Sequence, residues 1–133
     1  MNDVRRMTAM DMTMTAETSR RRLILASQSR SRRQMLEAAG IAVEAIPSGV
    51  DEPRLREALE RDGRQTTPVQ IARTLAKAKT LNMSQTHPNA LTIGEDQVLA
   101  LDQRIFEKPT NIEATNQQLM DLQNHSHVLV SAV

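Results

Sequence analysis

An α/β fold with a mixed sheet flanked by helices is what this sequence predicts, and three observations predict it. Short apolar runs alternate along the chain with helical segments that carry their own caps. Val98 to Leu101 and Arg104 to Phe106 flank an Asp102-Gln103 turn, a hairpin pattern that sets antiparallel pairing beside the parallel pairing of a strand–helix–strand order. The chain has 133 residues, 39% of them hydrophobic, enough for one domain with a sizeable core.

The first strand is Leu23 to Ala26. Ser31, followed three residues later by Gln34, reads as a capping box; Met35, Leu36 and Ala39 form one apolar face, and Gly40 sits where a helix stops. Ala42 to Ile46 alternates weakly and predicts a second strand, with Pro47-Ser48-Gly49 as the turn beyond it. Pro53 opens the next helix, Leu55, Ala58 and Leu59 are its stripe, and Asp62-Gly63 is its exit. Thr67 caps a third helix with Pro68 at its first position, and Ile71, Ala72, Leu75, Ala78 and Leu81 recur at helical spacing. That stripe sets Lys79 next to the apolar face and Arg73 and Lys77 on the polar side. Pro88-Asn89 turns the chain into Ala90 to Ile93, an apolar run read as a buried strand, and the hairpin follows. Thr110 caps a helix from about Asn111 to Asp121, and Val128 to Val133 closes the chain as an apolar strand. No internal repeat is found.

Composition excludes several functions. Phe106 is the one aromatic residue, so base stacking on aromatic platforms is nearly excluded, which argues against an RNA-recognition or single-strand-binding module. With no cysteine there is no disulfide, thiolate zinc site or thiol nucleophile, as suits a cytoplasmic protein. No apolar run approaches the ~18 residues of a membrane span, so neither membrane nor nucleic acid is expected as a partner. The net charge of +1 hides an asymmetry: residues 1–33 carry eight arginines against Asp3, Asp11 and Glu17, and the remainder is acidic. A basic arm for nucleic acid or a membrane surface and an organelle presequence are two readings of that start. Residues 1–20 are read instead as a disordered leader, because five methionines in the first fourteen residues follow no period, which leaves residues 21–133 as the domain.

The stretch LILASQSRSRRQMLEAAGI, residues 23–41, carries the most chemistry. It places Arg32 and Arg33 in the first turn of a helix, where cations oppose the partial positive charge of the helix end by up to about 1 kcal/mol each. An anion reverses that sign. Backbone N–H groups, the hydroxyls of Ser27, Ser29 and Ser31, and the Arg30, Arg32 and Arg33 guanidiniums form a set able to hold a phosphate chain; a solvated basic helix end is the alternative. Glu95-Asp96 taken alone is a solvated acidic turn, and Lys79 alone a helix-surface lysine. His125-Ser126-His127 lacks a third ligand nearby and reads as solvated loop or cleft edge.

Leu25-Ala26-Ser27-Gln28-Ser29-Arg30-Ser31-Arg32-Arg33 resembles the LASxSPRR signature of Maf proteins, a family of nucleotide pyrophosphatases. Further segments keep that family's order: Val50-Asp51-Glu52; Leu75 to Lys79 against LAxxKA; Gly94 to Val98 against GADTV; Lys108-Pro109; and, more weakly, Leu122 to Val133 with His127 on the family's histidine. The resemblance implies a Maf/ITPase-like α/β fold with the nucleotide in a central cleft. It implies hydrolysis of a nucleoside triphosphate at the α-phosphorus, giving the monophosphate and pyrophosphate, with Mg²⁺ or Mn²⁺. By the same resemblance Asp96 takes the general-base position, and Glu52, with Asp96, lies near the metal. Arg32, Lys79 and Lys108 take the phosphate-contacting positions.

Two departures bear on substrate. Gln97 replaces the threonine of GADTV, as in the branch that hydrolyses 7-methyl-GTP, whereas Ser31 is neither the arginine of the dTTP/UTP branch nor the tryptophan of the methyl-GTP branch. The family's third specificity position and closing segment lie beyond residue 133, so the chain is expected to lack roughly the last third of the fold. Its final strand is then expected to end without helix or partner, which predicts marginal stability or self-association, a homodimer included. A truncated phosphate-binding remnant without activity is the alternative to an enzyme, and a basic nucleic-acid-binding protein is a weaker third reading.

Overall fold

The computed structural model describes residues 21–61 and 66–133; the leader reading of residues 1–20 and the Asp62-Gly63 helix exit lie outside them. Strand β1 (Leu23–Ala26) has Ile24, Leu25 and Ala26 fully enclosed. Helix α1 (Arg30–Ala38) follows, and Ser29 rather than Ser31 is its cap: Ser29 Oγ accepts from the Arg32 N–H at 3.4 Å. The reason lies one step upstream. Ser27 Oγ accepts the Ser29 N–H at 3.1 Å, so the chain turns directly after β1 and Ser31 is already inside the first helical turn. The Met35 face predicted as apolar is exposed and no α1 residue is buried, while Gly40 leaves the helix at φ +76° as its position predicts.

Strand β2 (Glu44–Ile46) leads through Gly49, at φ +68°, to helix α2 (Glu52–Arg61), where Asp51 Oδ1 accepts the Arg54 N–H at 3.1 Å. Helix α3 (Pro68–Thr86) carries the predicted Thr67 cap as a full capping box, Gln70 Oε1 accepting the Thr67 N–H at 2.8 Å. Its buried stripe is Ile71, Ala72, Leu75, Ala76, Lys79 and Met83. Leu81 is exposed, and Lys79 lies within the stripe rather than beside it. Strands β3 (Leu91–Ile93), β4 (Asp96–Leu101) and β5 (Arg104–Phe106) follow, with Asp102 at φ 53° in the β4–β5 turn. Asn111, not Thr110, caps helix α4 (Ile112–Leu122), its Oδ1 accepting the Ala114 N–H at 2.7 Å. Arg104 reaches Asp121 at 2.7 Å, tying α4 to the hairpin; Gln117 and then Arg104 hold the Asp121 carboxyl below its ordinary value.

Parallel and antiparallel pairing are both present, divided between two three-stranded sheets. The first, β2-β1-β3, is parallel and the second, β5-β4-β6, is antiparallel. Strand β6 (Val128–Ala132) therefore has a partner, contrary to the expectation of an uncovered terminal strand: it pairs with β4 from Val128–Ala100 to Ala132–Asp96. Its outer edge is open among the described residues. Helix α3 joins the two sheets. Ile71, Ala72 and Leu75 pack on Val98 of β4, and Met83 packs on Ile24 and Ala26 of β1. Full burial of side chains such as Leu75, Val98, Ile24 and Leu25 contributes roughly 1.5–3 kcal/mol each.

Candidate active site

The carboxyl ends of the parallel strands β1 and β2 open onto one cleft of about 1030 Å³, the place where open α/β sheets bind ligands. After β1 come Ser27 to Arg32, which include the start of α1; after β2 come Pro47 to Val50; Glu52 and Lys108 complete the walls. Ser27, Ser29, Ser31, Arg32, Glu52 and Lys108 thus line one space. Arg33 is not among the lining residues and pairs along the exposed helix with Glu37 at 2.7 Å, so the three-arginine set reduces to Arg30 and Arg32.

Arg32 is held at two of its nitrogens. Its Nε pairs with Glu95 Oε1 at 2.8 Å and its Nη1 donates to Ser27 Oγ at 3.2 Å. Ser27 is itself buried at the end of β1, so the strand fixes the acceptor. Beside this pair, Lys79 reaches out of α3 to two carboxylates, Asp96 Oδ1 and Glu52 Oε1, each at 2.8 Å, and to the Glu95 carbonyl at 3.4 Å. Lys79 is 6% exposed and Asp96 4%, whereas the Glu52 side chain is 38% exposed and faces the cleft. Helix α3, strand β4 and helix α2 therefore converge on one ammonium group.

Close approach makes that convergence possible. A Cβ built on Gly94 would lie 2.1 Å from Thr80 Oγ1 and 2.6 Å from the Ala76 carbonyl, so only glycine lets the β3–β4 connection lie against α3 and bring Asp96 within reach of Lys79. Three carboxylates, Glu52, Glu95 and Asp96, meet two cations, Arg32 and Lys79, which leaves one negative charge in excess. Asp96 Oδ2 is buried and has no hydrogen-bond partner among the described residues. An unsatisfied buried carboxylate oxygen costs about 1–3 kcal/mol or more, so this atom has a use for a proton or a cation.

Asp96 and Lys79 are not among the cleft-lining residues; Glu52 connects them to it. Gln97 lies on the exposed side of β4, where its amide donates to Ser131 Oγ at 2.9 Å, so the structure does not bring it to Ser31 on the cleft wall. His125 is exposed, its Nδ1 beside the Gln123 carbonyl at 2.8 Å, consistent with a loop role. No group of three or more His, Cys, Asp and Glu suited to a metal exists among the described residues. The partner that sequence reasoning did not assign to Arg32 is Glu95. No local signal points to it, because the contact joins segments 63 positions apart through the β1–β3 pairing.

The profile of the Maf-like protein family matches residues 22–133. Among curated proteins, the nucleoside triphosphate pyrophosphatase of Rhodopseudomonas palustris is 42% identical over 111 residues, covering 84% of this chain and 53% of that protein. The 7-methyl-GTP pyrophosphatase of Mesorhizobium japonicum is 40% identical over 111 residues, 84% and 55% of the two chains. That of Brucella abortus is 38% identical over 112 residues, again 84% and 55%. The chain spans about half the length of the curated relatives it matches.

Proposed function

The chain belongs to the Maf-like protein family, and from that premise we propose that its cleft takes the phosphate chain of a nucleoside triphosphate for hydrolysis to the monophosphate and pyrophosphate. The observation that carries this reading is the convergence at the sheet's carboxyl ends of an arginine–serine helix start with a lysine–dicarboxylate cluster. In the proposed roles Ser27, Ser29, Arg32 and Lys108 hold phosphate oxygens, and Lys79 joins them on leaving its carboxylates. Asp96 accepts a proton from the attacking water.

The residues fit a divalent cation. Mg²⁺ and Mn²⁺ take one or two carboxylates together with substrate phosphates, and Asp96 Oδ2 and Glu52 supply such oxygens. A cation bound there would polarise a phosphoryl oxygen and lower the pKa of its water. A cytoplasmic location is part of the same proposal. One observation favours a second reading, phosphate binding without turnover: Asp96 is almost fully buried and its charge is already met by Lys79.

Incubation with Mg²⁺ or Mn²⁺ and a nucleotide panel, with pyrophosphate and orthophosphate measured separately, decides between them. Pyrophosphate release that falls about 10²- to 10⁴-fold in Asp96→Asn supports the enzyme. Orthophosphate alone contradicts attack at the α-phosphorus, and binding without product supports the second reading. Within the panel 7-methyl-GTP is the proposed preferred substrate, through Gln97, whose exposed amide would have to leave Ser131 to donate and accept at a base edge where threonine offers a hydroxyl and a methyl. A preference for UTP or dTTP that Gln97→Thr leaves unchanged removes Gln97 as the determinant.

A further inference from the structure

We infer that Glu95 is a positioning residue for Arg32, setting the direction in which that guanidinium meets a phosphate; the inference rests on the phosphate-binding reading of the cleft. The pair is sheltered, with the Arg32 and Glu95 side chains 22% and 14% exposed and Nε–Oε1 at 2.8 Å. Exposed ion pairs on this molecule, such as Arg33–Glu37, sit in water that screens them; this one closes the space between α1 and the β3–β4 connection.

The geometry divides the guanidinium by task. Nε is engaged by Glu95 and Nη1 by Ser27. Arg32 lines the cleft and Glu95 does not, so the carboxylate grips the arginine from outside the ligand space. A free arginine loses rotamer freedom when a ligand orders it. Here that ordering is done before the anion arrives. Glu95 also has an opposite effect, since its charge repels a phosphate. The two effects separate chemically, because an amide keeps the acceptor oxygen and removes the charge.

Calorimetric titration of the full chain with inorganic tripolyphosphate tests this without requiring turnover. Glu95→Gln binds at least as tightly as wild type, and Glu95→Ala binds about 3- to 10-fold more weakly than Glu95→Gln. Glu95→Met, which has the shape of glutamine without its acceptor, matches Glu95→Ala and replaces it if that variant does not fold. In an Arg32→Ala background the difference between the Gln and Ala variants disappears. Equal affinities for Glu95→Gln and Glu95→Ala with Arg32 present, or a difference that survives its removal, overturn the positioning role and leave the phosphate site standing. A wild-type chain that does not bind tripolyphosphate overturns both.

Discussion

Lys79 is a cation sealed into the core side of α3, and its two carboxylate partners come from elements that are distant in sequence. Removing one member of a buried pair leaves the other charge without compensation, which costs about 3–5 kcal/mol, whereas replacing both with uncharged groups of similar shape is close to neutral. Lys79→Met is therefore expected to destabilise the chain by about 3–5 kcal/mol, and adding Asp96→Asn to recover most of that loss. Denaturant unfolding of the two single variants and the double variant measures it; additive losses would show that the pair is not coupled. Spacing alone set Lys79 beside the apolar stripe of α3, whereas it lies within that stripe. Its burial was not legible, because Asp96 and Glu52 are brought to it by β4 and α2 packing on α3. The opposite holds for Ser27 and Arg32, which stand only five positions apart across the turn from strand to helix, so that the motif itself fixes their contact.

The elements were legible in proportion to how local their causes are. Strands β1 and β5 occupy the residues predicted, and the Thr67 cap of α3 forms as read, because each follows from its own side chains. Caps moved where two candidates compete within a few residues, Ser29 against Ser31 and Asn111 against Thr110; the winner depends on where the preceding chain turns. The separation of parallel from antiparallel strands into two sheets depends on α3 lying across both, which no window of sequence contains. Gly94 sits at that junction and yields an element-scale prediction. In Gly94→Ala the new methyl meets the α3 backbone at the Ala76 carbonyl and the Thr80 nitrogen, 2.6 and 2.7 Å away, and backbone cannot step aside as a side-chain tip can. The β3–β4 connection must lift, carrying Asp96 from Lys79. We expect a loss of about 1–3 kcal/mol in thermal or denaturant unfolding, together with weaker tripolyphosphate binding, because Glu95 moves with the same connection. An unchanged stability would mean that the connection shifts freely and that glycine is not required there.

At the largest scale, the antiparallel sheet ends, among the described residues, at an edge strand with nothing of its own to discourage pairing. Residues Val128–Ala132 include no charge and no proline, the usual devices that keep an edge strand single, and Leu129 is 62% exposed on the sheet face beside it. Leu119 and Met120 of α4 add exposed apolar surface in the neighbourhood of His127. A second copy of this chain is the partner we propose for that edge, because two β6 strands can pair antiparallel about a two-fold axis and continue each sheet into the other with the same residues on both sides. Chromatography with light scattering is then expected to show concentration-dependent dimers. Leu129→Lys, which places a charge on the exposed face without touching Val130 or the β4 register, is expected to shift the population to monomer with little change in melting temperature. A wild-type chain that stays monodisperse and monomeric at all concentrations and melts cooperatively would rule out the edge as an interface. It would mean that one paired side, held by β4 and α3, is enough to keep β6 in place.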